Sequence, residues 1–135
     1  MANTYQNAEA AAVDKARMEA FQTALNASPM TLRRDQAGLW ILRGSRGYAS
    51  SWGGVDAWQL VPESVSARRW TSYKNRLAFC EIVQDGDTEG VLRLDRLPSP
   101  EEAVEIRDIL GLRKRTELTE EQIAERTARL RGIPD

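Results

Sequence analysis

Between Thr31 and Val61 the chain turns to tryptophan, glycine, serine and β-branched residues. They fall in three short runs cut by Gly44-Ser45-Arg46-Gly47 and Gly53-Gly54-Val55-Asp56. Short apolar runs bounded by glycine turns build antiparallel strands, so this segment predicts a three-stranded meander. With Ser45 and Arg46 as the tight turn, Arg43 faces Tyr48, Ile41 faces Ser50 and Leu39 faces Trp52. That pairing sends Trp40 and Trp52 to opposite sides of the sheet.

The flanks are helical. From Ala8 to Asn26 the positions Val13, Met18, Phe21 and Leu25 recur near helical spacing, with Asn7 as the cap and Ser28-Pro29 as the stop. A Ser64 or Ser66 cap opens a middle helix reaching about Leu77, with Trp70, Tyr73 and Leu77 on one side. Leu77–Val83 and Val91–Leu97 read as a hairpin around the glycines and acids between Gln84 and Gly90. Ser99-Pro100-Glu101-Glu102 is an N-cap, a first-turn proline and a capping-box glutamate, and Gly111 stops that helix. Thr119-Glu120-Glu121-Gln122 starts a last helix ending at Gly132 before Pro134, with Ile123, Ala124 and Leu130 as a thin apolar face.

The resulting expectation is a single α+β domain over 1–135. It has an N-terminal helix (1–30), a tryptophan-rich meander (31–61), a middle helix (62–77), a hairpin (78–97) and two C-terminal helices (99–132). A chain of 135 residues, 41% hydrophobic and 29% charged, holds such a core without disulfides or metal.

Composition also narrows the chemistry. The sequence has no histidine, which excludes Ser-His-Asp, Cys-His and His-metal sites together. Its single cysteine, Cys80, sits in the apolar run Leu77–Val83 and reads as a small buried hydrophobe. Asp85-x-Asp87-x-Glu89-Gly90 opens like a calcium loop, but Arg96 stands where the twelfth-position glutamate is needed, so a plain hairpin loop is expected. The glutamate pairs Glu101/Glu102 and Glu120/Glu121 lie in first helical turns, where they complement the dipole. Arg113-Lys114-Arg115 follows a helix end and has the same explanation. No catalytic set emerges, and no cofactor or metal is expected.

The remaining anomaly is that all four tryptophans, Trp40, Trp52, Trp58 and Trp70, lie in one part of the chain. The same stretch, 31–76, carries eight basic against three acidic residues, a net +5, while the chain from Leu77 onward is net -5. Tryptophan, tyrosine and arginine dominate protein-interaction hot spots. The candidate binding surface is therefore Arg33, Arg34, Arg43, Arg46, Tyr48, Trp52, Trp58, Arg68, Arg69, Lys74 and Arg76. The expected function is a non-catalytic accessory or inhibitor module that binds another protein. The alternative is a nucleic-acid binder in which bases stack on the rings of 31–76. Burial of most of these rings in the core is the competing structural account. With neither a signal-peptide pattern nor a long apolar stretch, the expected setting is the cytoplasm, away from membranes, with self-association left open.

Overall fold

The computed structural model describes residues 5–52, 55–116 and 120–130. Its helices are α1 (Ala8–Ala24), α2 (Ala67–Arg76), α3 (Pro100–Leu110) and α4 (Glu120–Leu130). Its strands are β1 (Leu32–Arg34), β2 (Trp40–Arg43), β3 (Gly47–Trp52), β4 (Val55–Pro62), β5 (Glu81–Asp85) and β6 (Gly90–Leu94). The architecture is α+β, with one antiparallel sheet in the order β1-β2-β3-β4-β6-β5. No helix among the described residues is long and apolar enough to cross a membrane.

Local signals act where they are expected. Asn7 accepts the Ala10 N–H at 2.8 Å and starts α1. Ser66 accepts from Arg69 to start α2, and Ser99 and Glu102 close a reciprocal box at α3. Gly111 ends α3 in the left-handed conformation at φ 67°. α1 ends at Ala24, ahead of Ser28-Pro29, because Asn26 turns left-handed at φ 53°; the proline instead opens a short 3-10 turn. The proposed cap Thr119 and stop Gly132-Pro134 of the last helix lie outside the described residues, as do the side chains of Ile123 and Leu130.

The sheet is larger than the sequence suggests. The meander has four strands, because Leu32–Arg34 forms β1 and hairpins onto β2. Asp35 makes that turn, its carboxylate accepting the Ala37 and Leu39 N–H groups at 2.9 Å each, while Gly38 takes φ 86°. The hairpin does not stand apart, since β6 pairs with β4. Its first strand begins at Glu81, not Leu77. The Cys80 N–H closes a turn onto the Leu77 carbonyl, and Leu77 is buried beneath that turn.

Register sorts the side chains into two faces. Leu32, Leu42, Ala49, Leu60 and Leu92 form one transverse row through successive paired strands. This row belongs to the core together with Met18 and Phe21 of α1, Trp70 and Tyr73 of α2, and Ile106, Ile109 and Leu110 of α3. Trp58 joins the same face and stacks on Phe21, with centroids 4.9 Å apart and planes 6° off parallel. Trp70 lies so close to β6 that a Cβ on Gly90 would meet its ring at 2.3 Å, so only glycine fits there. Thus α1, α2 and α3 all pack on one face, and none of these three helices covers the opposite one.

Two expected pairings are not made. Arg43↔Tyr48 and Leu42↔Ala49 form as the turn dictates, but the β2–β3 ladder ends there, without Ile41↔Ser50 or Leu39↔Trp52. The Trp40 N–H, which a continued ladder would direct toward Ser51, is donated instead to the Tyr5 hydroxyl at 2.8 Å. Tyr5 and Ser51 both donate to Asp14 of α1, so the two strands are held apart by this network.

Candidate binding surface on the open sheet face

The face opposite the helices is built from alternate residues of successive strands. Arg43, Tyr48 and Val61 form one paired row, and Ser50, Gln59, Arg93 and Glu81 form the next. Gln59 donates to the Ser50 hydroxyl at 2.7 Å, which fixes the middle of the second row. Trp52 joins this face through the Arg93 guanidinium, 5.2 Å from its ring centroid. Tyr48, Trp52, Gln59, Val61 and Arg93 are all half-buried, so each still offers surface. Trp40 belongs to the other face, where Lys15 of α1 lies 5.0 Å and Arg34 4.8 Å from its ring centroid.

At the β1 end this face deepens into a hollow of about 570 Å³ lined by Arg33, Arg34, Asp35, Ile41, Arg43 and Tyr48. A second hollow of about 430 Å³ shares Arg33 and Arg43 as a wall and adds Met30, Ser45 and Arg113. The cations here are lightly compensated. Among the described residues Arg33, Arg34 and Arg113 have no carboxylate within 4.0 Å, and Arg43 reaches Glu63 only at 3.9 Å. The one acid in the hollow, Asp35, is held by its own turn.

The remaining candidates divide. Trp58 is only 4% exposed and lies beneath the surface, its indole N–H donating to the Arg17 carbonyl at 3.3 Å. Arg76 bonds both Glu105 and Asp108 at 2.6 Å, tying α2 to α3, and these carboxylates raise its pKa further, Asp108 most. Lys74 binds Asp85 at 2.9 Å, and its donation, followed by that of the Trp70 indole, holds the Asp85 carboxyl below its usual range. Arg46 donates to the Asp108 carbonyl, so the β2–β3 turn caps the end of α3. Arg68 and Arg69 are exposed on α2, away from the open face. The eleven residues singled out from the sequence therefore do not form one surface. Arg33, Arg43, Tyr48 and Trp52 gather at the open face, and Arg34 stands at its β1 margin, turned to the Trp40 ring on the helix side. Arg93, Gln59 and Arg113 join them without having been anticipated.

A third hollow, about 680 Å³, lies between α1 and the splayed ends of β2 and β3, lined by Tyr5, Asp14, Arg17, Trp40, Ser51 and Gln59 among others. Asp14 is 8% exposed and accepts both hydroxyls. Burial, reinforced by donation to Asp14, pushes the Tyr5 hydroxyl up to about 12, so it keeps its proton at neutral pH. The trio anchors the chain before α1 to the sheet. Cys80 is half-buried, and burial together with the nearby Glu102 carboxylate pushes its thiol up to about 12, far from a reactive thiolate. Among the described residues no group of three acidic or cysteine side chains converges to hold a metal ion.

Compared with protein-family models, curated proteins and solved structures, the chain matches none of them.

Proposed function

We propose that the protein is a non-catalytic binding module, acting in the cytoplasm, that engages another protein through the open face of its sheet. The observation that carries this reading is the gathering of Tyr48, Trp52, Arg43 and Arg93 on the face that α1, α2 and α3 leave uncovered. Partly exposed rings and guanidinium groups on a rigid sheet lose little conformational freedom on binding, the property that concentrates binding energy at such residues.

The nucleic-acid reading is less well supported. It needs a continuous basic track, whereas Lys74 and Arg76 bind carboxylates within the fold and Arg68 and Arg69 lie on α2. A hydrolytic reading would rest on Ser51, Asp14 and Tyr5, whose hydroxyl protons are both directed at one carboxylate. The test is co-purification of the tagged protein from its source cells after nuclease treatment. A stoichiometric protein partner is expected, lost on Tyr48→Ser with Trp52→Ser and kept on Arg68→Ala with Arg69→Ala. A partner that disappears with nuclease, or survives the open-face substitutions, refutes the proposal.

A further inference from the structure

β1 is the terminal strand of the sheet, and no described strand pairs with its outer edge. The outward backbone groups of β1 are those of Leu32 and Arg34; the Leu32 N–H is already donated to the Pro29 carbonyl, which among the described residues leaves the two carbonyls and the Arg34 N–H for an extended chain that lies against the edge. Around this edge stand four guanidinium groups. Arg33 and Arg43 form the wall shared by the two adjoining hollows, Arg34 lines one of them and Arg113 the other. Among the described residues Arg33 uses only its Nε, which donates to the Met30 carbonyl at 3.3 Å, and its terminal nitrogens meet no partner there. Apolar surface is interleaved with this charge: Met30 is 67% exposed, Leu32 is half-buried on the helix side of β1, and Ile41 floors the open side.

We infer that the margin of the sheet at β1 takes an extended acidic segment of a partner protein. The segment's backbone pairs with the free edge of β1 while its carboxylates meet Arg33, Arg43 and Arg113. Strand addition gives affinity through the main chain and specificity through alternate side chains. Here the alternation has a definite pattern. Residues facing as Arg33 faces meet guanidinium groups that bind carboxylates in a bidentate fork, and the residues between them lie on the side of Leu32, where the Arg34 guanidinium rests on the Trp40 ring. A nucleic acid satisfies the charge but has no peptide backbone to continue the sheet, which is why the acidic peptide fits better. This inference rests on the protein-binding reading and adds the chemistry of the partner.

Fluorescence polarisation with a labelled octapeptide alternating glutamate and valine tests it on the full chain. The peptide should bind, and Arg33→Glu with Arg43→Glu should weaken binding at least about tenfold, since opposite charge becomes like charge. Arg68→Glu with Arg69→Glu should leave it unchanged. N-methylation of alternate backbone amides should abolish binding while leaving every charge in place. Equal binding of the N-methylated peptide reduces the margin to a diffuse electrostatic patch and overturns the inference. So does tighter binding of an oligothymidine with the same number of charges, or light-scattering evidence that a second copy of the chain occupies the edge. If no peptide binds, yet the Tyr48/Trp52 variant still loses its co-purified protein, the inference falls while the protein-binding reading stands.

Discussion

Replacing Trp58 by alanine and, separately, Trp52 by alanine separates the core from the binding face. Trp58 is 4% exposed, stacks on Phe21 at 4.9 Å and donates its indole N–H to Arg17. A buried tryptophan removes about 200 Å² from water, which at about 25 cal/mol/Å² sets a ceiling near 5 kcal/mol. Large-to-small substitutions at such sites cost about 3–5 kcal/mol, much of the stability of a domain with about 5–15 kcal/mol in all. Trp58→Phe keeps a ring against Phe21 and loses the hydrogen bond and part of the area, for about 1–2 kcal/mol. Trp52 is half-buried, and the contact identified at its ring face is Arg93, so Trp52→Ala should cost about 1 kcal/mol or less. Urea titrations followed by far-UV circular dichroism give both values, with an unchanged slope as the check that the transition remains two-state. Equal costs for Trp52→Ala and Trp58→Ala would refute the division of faces on which the functional reading depends.

Other consequences follow from close contacts and from charge. A Cβ on Gly44 would lie 2.0 Å from the Leu110 carbonyl oxygen and drive the β2–β3 turn off the end of α3, so Gly44→Ala should destabilise by about 2–3 kcal/mol. Gly38 faces open space at φ 86°, and Gly38→Ala should cost only about 1 kcal/mol in urea unfolding; a reversed order contradicts the docking of that turn. Arg96, followed by the Ser99 N–H, lowers the Glu102 carboxyl from 4.5 to about 2, so its contribution is complete above about pH 4.5 and is lost as pH falls toward 2. Glu102→Gln should therefore flatten the acid limb of stability in urea midpoints measured across that window, and an unaltered limb would contradict the assignment. Asp85 is already bound by Lys74 and Trp70, so calorimetry should show no saturable calcium binding; an isotherm lost on Asp87→Ala would overturn this.

What the sequence revealed and what it hid follow from the range of the interactions. The caps at Asn7, Ser66 and Ser99 and the stop at Gly111 are local, each satisfied within a few residues, and were legible. The turn at Ser45-Arg46 likewise set Arg43 against Tyr48. β1 escaped notice because Leu32-Arg33-Arg34 holds one apolar residue and is a strand only by pairing with β2. Leu77–Cys80 misled for the opposite reason, since apolar residues tucked under a turn resemble a buried strand. The break in the β2–β3 ladder depends on Tyr5 and Asp14, distant in sequence from both strands. The candidate surface was blurred for the same reason. Charge counted along 31–76 merges Arg33 and Arg43, which reach solvent, with Lys74 and Arg76, which bind acids from later in the chain. Arg113 joins the β1 margin because the end of α3 docks against the β2–β3 turn, through Ser45 N–H to Gly111 and Arg46 N–H to Leu110, and because the Ser28 N–H then binds the Arg113 carbonyl at 2.7 Å.

Hydroxyl-radical footprinting, read by mass spectrometry on the free protein and on its complex with the co-purified partner, tests the central claim most directly. Tyr48 and Trp52 should be modified in the free protein while Trp58 and Trp70 are protected, in line with their exposure in the fold. In the complex, Tyr48 and Trp52 should become protected and α2 should react as before. Protection confined to α2, with Tyr48 and Trp52 still fully reactive, would show that the open face is not where the partner binds.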